Sequence, residues 1–142
     1  MNLPSRATLL VLPFSLISCV SLSPTDRAQL RDIKALNLPE KTRKNQIAAG
    51  ALNLLPGVGN FYLATGTDQG GQASVGFVNL LTWPLSVVWG IPQAAIDAKT
   101  INTQYTVYYY TIDPVGKKTL NQALYQSNHS EPAAEVKSRK LP

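Results

Sequence analysis

Few side chains in this sequence are of kinds that do chemistry, and their placement narrows the options. The chain holds one Cys, Cys19, and one His, His129. A single thiol makes neither an internal disulfide nor a multi-cysteine metal site. His129 lies in a polar C-terminal stretch, where solvation is the simpler role for an imidazole. Hydrolysis needs a nucleophile beside a base, or paired carboxylates. Asp68 and Asp97 are the carboxylates next to the apolar middle of the chain, and both sit at edges of charge-free runs, where charges are expected in any case. Gly57-Val58-Gly59 follows an apolar run as a phosphate loop would, but Tyr62 takes the third glycine position of G-x-G-x-x-G, and no Lys-Ser or Lys-Thr follows. Tyr105, Tyr108, Tyr109 and Tyr110 could hold a glycan, although an interfacial belt or a strand face uses the same residues. No catalytic group, metal, cofactor or nucleotide is expected. The balance of 13 basic and 8 acidic residues gives +5, too dispersed to argue for nucleic acid.

The position of the thiol says more than its number. The chain begins MNLPSRATLLVLPFSLISC, a short positive head with Arg6, then an apolar segment over residues 7–17. As a helix that segment spans about 16 Å, half the thickness of a bilayer core, which suits a secretory h-region better than an anchor. Leu16-Ile17-Ser18-Cys19 at its end resembles the lipobox of bacterial lipoproteins. The resemblance implies diacylation of the Cys19 thiol, for example with palmitate, cleavage between Ser18 and Cys19, and acylation of the new amino terminus. Each acyl methylene buried in lipid contributes about 0.8 kcal/mol, so two or three chains anchor firmly. Val20, rather than Asp, after the Cys favours the outer membrane by the same resemblance.

Residues 19–45 are polar and basic, an acylated tether. Within them residues 26–36 place Leu30 and Ile33 three apart behind Thr25, predicting a short amphipathic helix capped by Thr25 and ended by Pro39. Residues 46–101 are unusual. No charge occurs from Asn45 to Thr67 or from Gln69 to Ile96, with Asp68 alone between the runs. A helix with one wet face normally shows a polar period. The second run predicts a helix over residues 75–96, about 33 Å, long enough to cross a bilayer and kinked at Pro84 and Pro92. The first is cleanly helical only over residues 47–55, about 13 Å, before Pro56-Gly57. In residues 102–125, the segment 105–112 reads as a strand, Asp113-Pro114-Val115-Gly116 as the turn closing it, and 119–125 as a second strand or a short helix. Residues 126–142 have few apolar side chains and are expected to be disordered.

The string Leu55-Pro56-Gly57-Val58-Gly59-Asn60-Phe61-Tyr62-Leu63, followed by Gly66, Gly70-Gly71, a long apolar helix with Trp89, and Ile96-Asp97, resembles the family of short domains made of two transmembrane helices. The similarity covers about residues 45–99. In that family a glycine-rich first helix ends in Gly-x-Gly and Phe-Tyr-Leu-Gly, and the second carries a Trp and closes with an apolar residue before Asp. This chain departs from the pattern at Asn60, where the family has His-Arg, and at Ala64-Thr65-Gly66, which moves the final glycine by two residues. The implied hairpin uses Pro56, Gly57, Gly59, Phe61, Tyr62, Gly66, Gly70 and Gly71 for its turn and packing, and Asp97 marks the end of the membrane segment. Small residues permit close helix approach where no water satisfies the backbone, so Gly50, Gly57 and Gly59 would face Gly76 and Ser86.

The expected fold is mainly α: a membrane-associated helical hairpin with a short amphipathic N-terminal helix, a small Tyr-rich β-like extension and a disordered C-terminal tail. The expected function is that of a bacterial envelope lipoprotein, held on the periplasmic side by acyl chains in membrane lipid, with a structural or adaptor role and a homo-oligomer or an envelope protein as partner. A crossing hairpin favours the inner membrane, but it would put the basic residues Lys41, Arg43, Lys44 and Lys99 outside, against the positive-inside rule. A re-entrant hairpin, a hairpin covered by its own copies, or an uncleaved N-terminus each relieves that conflict. The alternatives are a small inner-membrane protein with an uncleaved N-terminus forming a Gly-rich oligomeric hairpin for transport or partner binding, and a soluble periplasmic module using the Tyr cluster.

Overall fold

The short polar side chains of Ser23, Asn45 and Asp113 set three of the helix starts. The computed structural model describes residues 20–129, so Ser18 and Cys19 lie outside the described residues. Among the described residues there are six helices and no strand. They divide into two units: Lys44–Ile101 with Val20 and Ser21, and Leu22–Arg43 with residues 102–129.

The first unit contains α2 (Gln46–Leu52), α3 (Val58–Ala64), α4 (Gly71–Leu81) and the first part of α5 (Ser86–Thr111). Asn45 caps α2 by accepting from the Ala48 N–H at 3.0 Å. The helix expected over residues 47–55 stops at Leu52, and a second helix begins after Gly57. Gly57 has φ +79°, a left-handed conformation open to glycine. The helix expected over residues 75–96 is likewise divided. Pro84, in a cis bond to Trp83, supplies no N–H, so α4 closes at Leu81 and α5 starts at Ser86, whereas Pro92 lies inside α5 without ending it. Among the described residues no helix is long and apolar enough to cross a membrane. The core is small and alanine-rich: Ala49, Leu63, Ala94, Ala98 and Ile101, with Val20 and Tyr62 packed against it.

The second unit contains α1 (Pro24–Ala35), the rest of α5 and α6 (Pro114–His129). α1 is capped by Ser23, not by Thr25. The Ser23 hydroxyl accepts from the Asp26 N–H at 3.0 Å, the Asp26 carboxylate accepts from the Ser23 N–H at 3.2 Å, and Pro24 fills the first helical position. The helix ends at Ala35, before Asn37 at φ +54° and well short of Pro39.

The expected strand over residues 105–112 is helix. Three side chains at four-residue spacing on α5 meet three residues of the 36–43 connection at two-residue spacing. The Arg43 N–H donates to Asn102 Oδ1 (2.8 Å), the Lys41 N–H donates to Thr106 Oγ1 (2.9 Å), and the Tyr110 hydroxyl donates to the Pro39 carbonyl (3.0 Å). Four helical residues advance about 6 Å and two extended residues about 6.6 Å, so the two periods stay in register. Lys41 also lies over the Tyr109 ring and Arg43 over the Tyr105 ring, at 4.6 and 5.2 Å. Ile33, Val107 and Tyr110 form the core, flanked by Leu30, Leu38, Tyr109 and Leu120.

Asp113-Pro114-Val115-Gly116 opens a helix instead of closing a hairpin of strands. The Asp113 carboxylate accepts from the Val115 and Gly116 N–H groups at 2.9 and 3.2 Å, and Pro114 takes the first helical position. The span 119–125 is therefore helical, and so are Gln126–His129, which had been expected to be disordered; residues 130–142 lie outside the described residues.

Candidate functional site

The residues of the expected hairpin do not all meet. A Cβ on Gly57 would collide with the Gly76 carbonyl, and one on Gly59 with the Ala49 carbonyl, so α3 approaches α4 and α2 backbone to backbone at these two points. Gly50 lies against Ile91 and Ala95 of α5, not against Gly76 or Ser86. Phe61 packs on Gly76 and meets Phe77 edge to face at 5.2 Å. Tyr62 accepts the Asn45 N–H at its hydroxyl (3.0 Å), and Pro56 is half-buried in the turn before Gly57. Gly66 and Gly70 have open space around them, and Gly71 is the exposed first residue of α4. Asp97 is not at a helix end: α5 continues to Thr111, and Asp97 is only 2% exposed.

What surrounds Asp97 is the distinctive feature of the unit. Gln72 Nε2 donates to Asp97 Oδ2 at 2.8 Å, and Asn60 Nδ2 donates to Gln72 Oε1 at 2.8 Å. Asn60 Oδ1 in turn accepts from Asn53 Nδ2 and from Asn79 Nδ2, both at 2.9 Å. At the far end Asn53 Oδ1 accepts the Gly59 N–H (2.9 Å), Asn53 Nδ2 also reaches the Gly90 carbonyl (2.6 Å), and Asn79 Oδ1 accepts the Trp89 indole N–H (3.1 Å). Ser86 donates to the Asn79 carbonyl at 2.6 Å. Asn53, Asn60, Gln72, Asn79 and Ser86 are each 2% exposed or less.

The chain of amides has a direction, and Asp97 sets it. An ionised carboxylate only accepts, so Gln72 must turn its NH₂ toward it. Its oxygen then faces Asn60, which must donate, leaving the Asn60 oxygen for Asn53 and Asn79. Bonds aligned in this way polarise one another in a low-dielectric interior. Burial pushes the Asp97 carboxyl above the usual carboxylate range, against the lowering effect of bonds from Gln72, from the Val20 backbone N–H and from Gln93.

The exterior of the unit is apolar. Ile47, Leu81 and Val88 are 80% exposed or more, and Leu54, Leu55, Phe77, Trp83, Leu85 and Ile96 are 60% or more. Lys44 is withdrawn: it is 7% exposed, and its Nζ donates to the Tyr62 and Thr65 carbonyls at 2.6 Å each, neutralising the C-terminal end of α3. In the second unit His129 stacks on Tyr125 and is exposed. Of the four clustered tyrosines only Tyr108 is exposed.

Reading the sequence missed the amide chain. Its signal was nonetheless present: Asn53 and Asn60 are seven apart, and Gln72, Asn79 and Ser86 recur every seven residues within the charge-free runs. Lys44 gave no such signal. Compared with known proteins, the chain matches no family model, no curated protein and no solved structure. Fold and site together define a small helical unit of inverted polarity, with amides inside and aliphatic side chains outside.

Proposed function

We propose that this chain is a lipoprotein of the bacterial envelope, acylated at Cys19 after cleavage behind Ser18, whose first unit lies within one leaflet of the membrane and whose second unit faces the aqueous side. Its role is structural or adaptor-like and involves no catalysis. The inverted polarity of the first unit is the observation that carries this reading. Lipid offers no hydrogen bonds, so polar groups placed there must be satisfied internally, and those of Asn53, Asn60, Gln72 and Asn79 are. The exposed aliphatic side chains would each gain roughly 1.5–2 kcal/mol on leaving water. Three of its helices are about as short as one leaflet is thick: α2 and α3 have seven residues each and α4 eleven, which gives about 10 and 16 Å against a core of about 30 Å. A unit confined to one leaflet exposes no loop on the far side, so the positive-inside conflict does not arise. Val20 after Cys19 favours the outer membrane, on its periplasmic side, by the resemblance to the lipobox.

Metabolic labelling with a palmitate analogue, compared with a Cys19→Ala variant, tests the anchor; label in the wild type alone is the expected result, and equal labelling refutes it. Enzymatic removal of the acyl chains tests the leaflet. The protein is expected to stay in the membrane fraction until detergent is added, and release on deacylation alone would assign the exterior of the first unit to another partner, such as a second copy.

A further inference from the structure

The two ends of the first unit differ. Asn53 closes α2, Asn79 lies in the last turn of α4 and Gly90 in the second turn of α5. The three meet, because Asn53 Nδ2 donates to the Gly90 carbonyl (2.6 Å) and a Cβ on Gly90 would touch both amides. Gly57, before α3, lies against Gly76. The α2–α3 turn and the α4–α5 connection therefore share one end, where Leu54, Leu55, Leu81, Trp83, Leu85 and Val88 are exposed. At the other end Lys44 Nζ links the start of α2 to the end of α3 through the Tyr62 and Thr65 carbonyls, and Gln72, in the first turn of α4, reaches Asp97. The exposed charges Asp68 and Lys99 belong to this second end.

The apolar end also satisfies its own polar groups. In the α2–α3 turn the N–H groups of Asn53, Leu54, Leu55 and Val58 donate to carbonyls three residues back. In the α4–α5 connection those of Leu85, Ser86, Val87 and Val88 do the same within the segment 82–85, and Pro56 and Pro84 have no N–H to place. The Thr82 hydroxyl donates to the Val78 carbonyl, the Ser86 hydroxyl to the Asn79 carbonyl and the Trp89 indole N–H to Asn79 Oδ1. Loops commonly leave such groups to water, whereas hydrocarbon offers no partner. Indole favours the membrane interface because its N–H seeks a partner, and that of Trp89 already has one.

We infer that the first unit enters the leaflet by this end, with the α2–α3 turn and the α4–α5 connection deepest among the acyl chains and the 65–70 connection and Lys99 at the headgroups. The inference rests on the leaflet reading and gives it a direction. The depth agrees along α5: from Ser86 to the exposed Ile96 the helix advances about 15 Å, half of a hydrocarbon core of about 30 Å, and Lys99 follows. The exposed apolar groups come from three helices and both connections, Leu55, Val58, Leu81, Leu85 and Val88 among them. A fluid covers such an end completely, and a flat partner such as a second copy covers it in part.

Both tryptophans of the chain, Trp83 and Trp89, stand at the apolar end, so the native emission of the full-length mature protein reads its depth. Phosphatidylcholine vesicles with bromine near the methyl end of the acyl chain are compared with vesicles brominated near the glycerol. The methyl-end bromines are expected to quench at least about twofold more strongly, since a leading tip lies near the mid-plane. Asp68→Trp adds a third indole at the opposite end of an otherwise unchanged chain, and the emission it adds should answer to the glycerol-end bromines alone. Equal quenching from both depths, or stronger quenching from the glycerol end, overturns the direction and leaves the unit in the leaflet. Added emission from Asp68→Trp that the methyl-end bromines quench does the same. Quenching from neither depth sinks the leaflet reading, and the direction with it.

Discussion

The two units solve the same problem, holding short helices together, with opposite materials. The first places amides and a carboxylate in its interior and leaves Leu81, Val88 and Ile47 exposed. The second buries Ile33, Val107 and Tyr110 and keeps its polar contacts for a line between the 36–43 connection and α5. α5 supplies both interiors, with Ala94, Asp97 and Ala98 in one and Thr106, Val107 and Tyr110 in the other. The side of the helix that is buried therefore does not determine what kind of interior results. The difference lies in what faces it: alanine, glycine and amides make a tight polar interior, while tyrosine and branched residues make an apolar one. A small unit with few large buried side chains has little hydrophobic stabilisation to draw on in water. Its cohesion rests on backbone proximity and on hydrogen bonds.

That contrast makes the first unit the more fragile to changes in shape. Gly57→Ala should have the largest effect, about 4 kcal/mol, because the new Cβ meets both a left-handed backbone and the Gly76 carbonyl. Loss of the denaturant transition of the first unit in detergent is the expected readout, and a variant within 1 kcal/mol of wild type would show that the close contact between α3 and α4 is dispensable. Asn60→Leu should follow at about 3 kcal/mol, although it adds apolar volume to a buried site. It strips the partner from Gln72 Oε1 and from Asn79 Nδ2 and leaves both buried without a bond. A stabilised variant would mean that the amides are not what holds the helices.

Thr106→Val in the second unit should cost less, about 1–2 kcal/mol, since it takes the acceptor from the Lys41 N–H and a longer hydroxyl donation from the Lys41 carbonyl while the apolar core beside it is intact. Asn102→Ala should cost a similar amount through the Arg43 N–H. Both are read as shifts in the thermal midpoint of the second unit, and a cost equal to that of Asn60→Leu would erase the distinction between the two interiors.

How much of this was legible varies with the physics of each segment. The helical class and the existence of α1 followed from apolar spacing, but its cap did not, because Thr25 and Ser23 are both competent and only Ser23 stands three residues before Asp26 with Pro24 between. The tyrosine segment reads as a strand on propensity, and it is helical because Asn102, Thr106 and Tyr110 find partners at Pro39, Lys41 and Arg43. Polar residues at every fourth position were visible; the distant connection that meets them was not. The Asp-Pro-Val-Gly segment reads as a turn closing a strand, but Pro114, Val115 and Gly116 are the first residues of α6, because Asp113 caps as readily as it turns. The Asn residues of the charge-free runs weaken the case for insertion into lipid. Their seven-residue spacing pointed elsewhere, to a buried polar line that an average hydropathy conceals.

Asp97 sharpens the comparison through pH. Its folded-state carboxyl titrates above the ordinary range because burial disfavours the charge. The stability it contributes is therefore complete below the unfolded value and is lost as pH rises through the folded one. The first unit should weaken across that interval. Asp97→Asn should flatten the profile of the first unit, as followed by its thermal midpoint from acid to neutral pH. A profile that keeps its slope in the variant would assign the pH dependence to another group.

The smallest effect on stability belongs to the exterior. Leu81→Asn and Val88→Asn change side chains that are 84% and 80% exposed, so in detergent the unfolding midpoint should move by no more than about 0.5 kcal/mol. Retention by vesicles should respond differently. Each substitution removes an aliphatic group that lipid would cover, and each should lower partitioning by about tenfold. Tyr108→Asn, a comparable change at a half-exposed position of the second unit, should leave partitioning unaltered. The pairing matters because either result alone is ambiguous: a loss at all three positions would mean that both units touch lipid, and a loss at none would leave the aliphatic exterior of the first unit to be covered by protein. Only a loss confined to Leu81 and Val88 ties the inverted polarity of that unit to the bilayer.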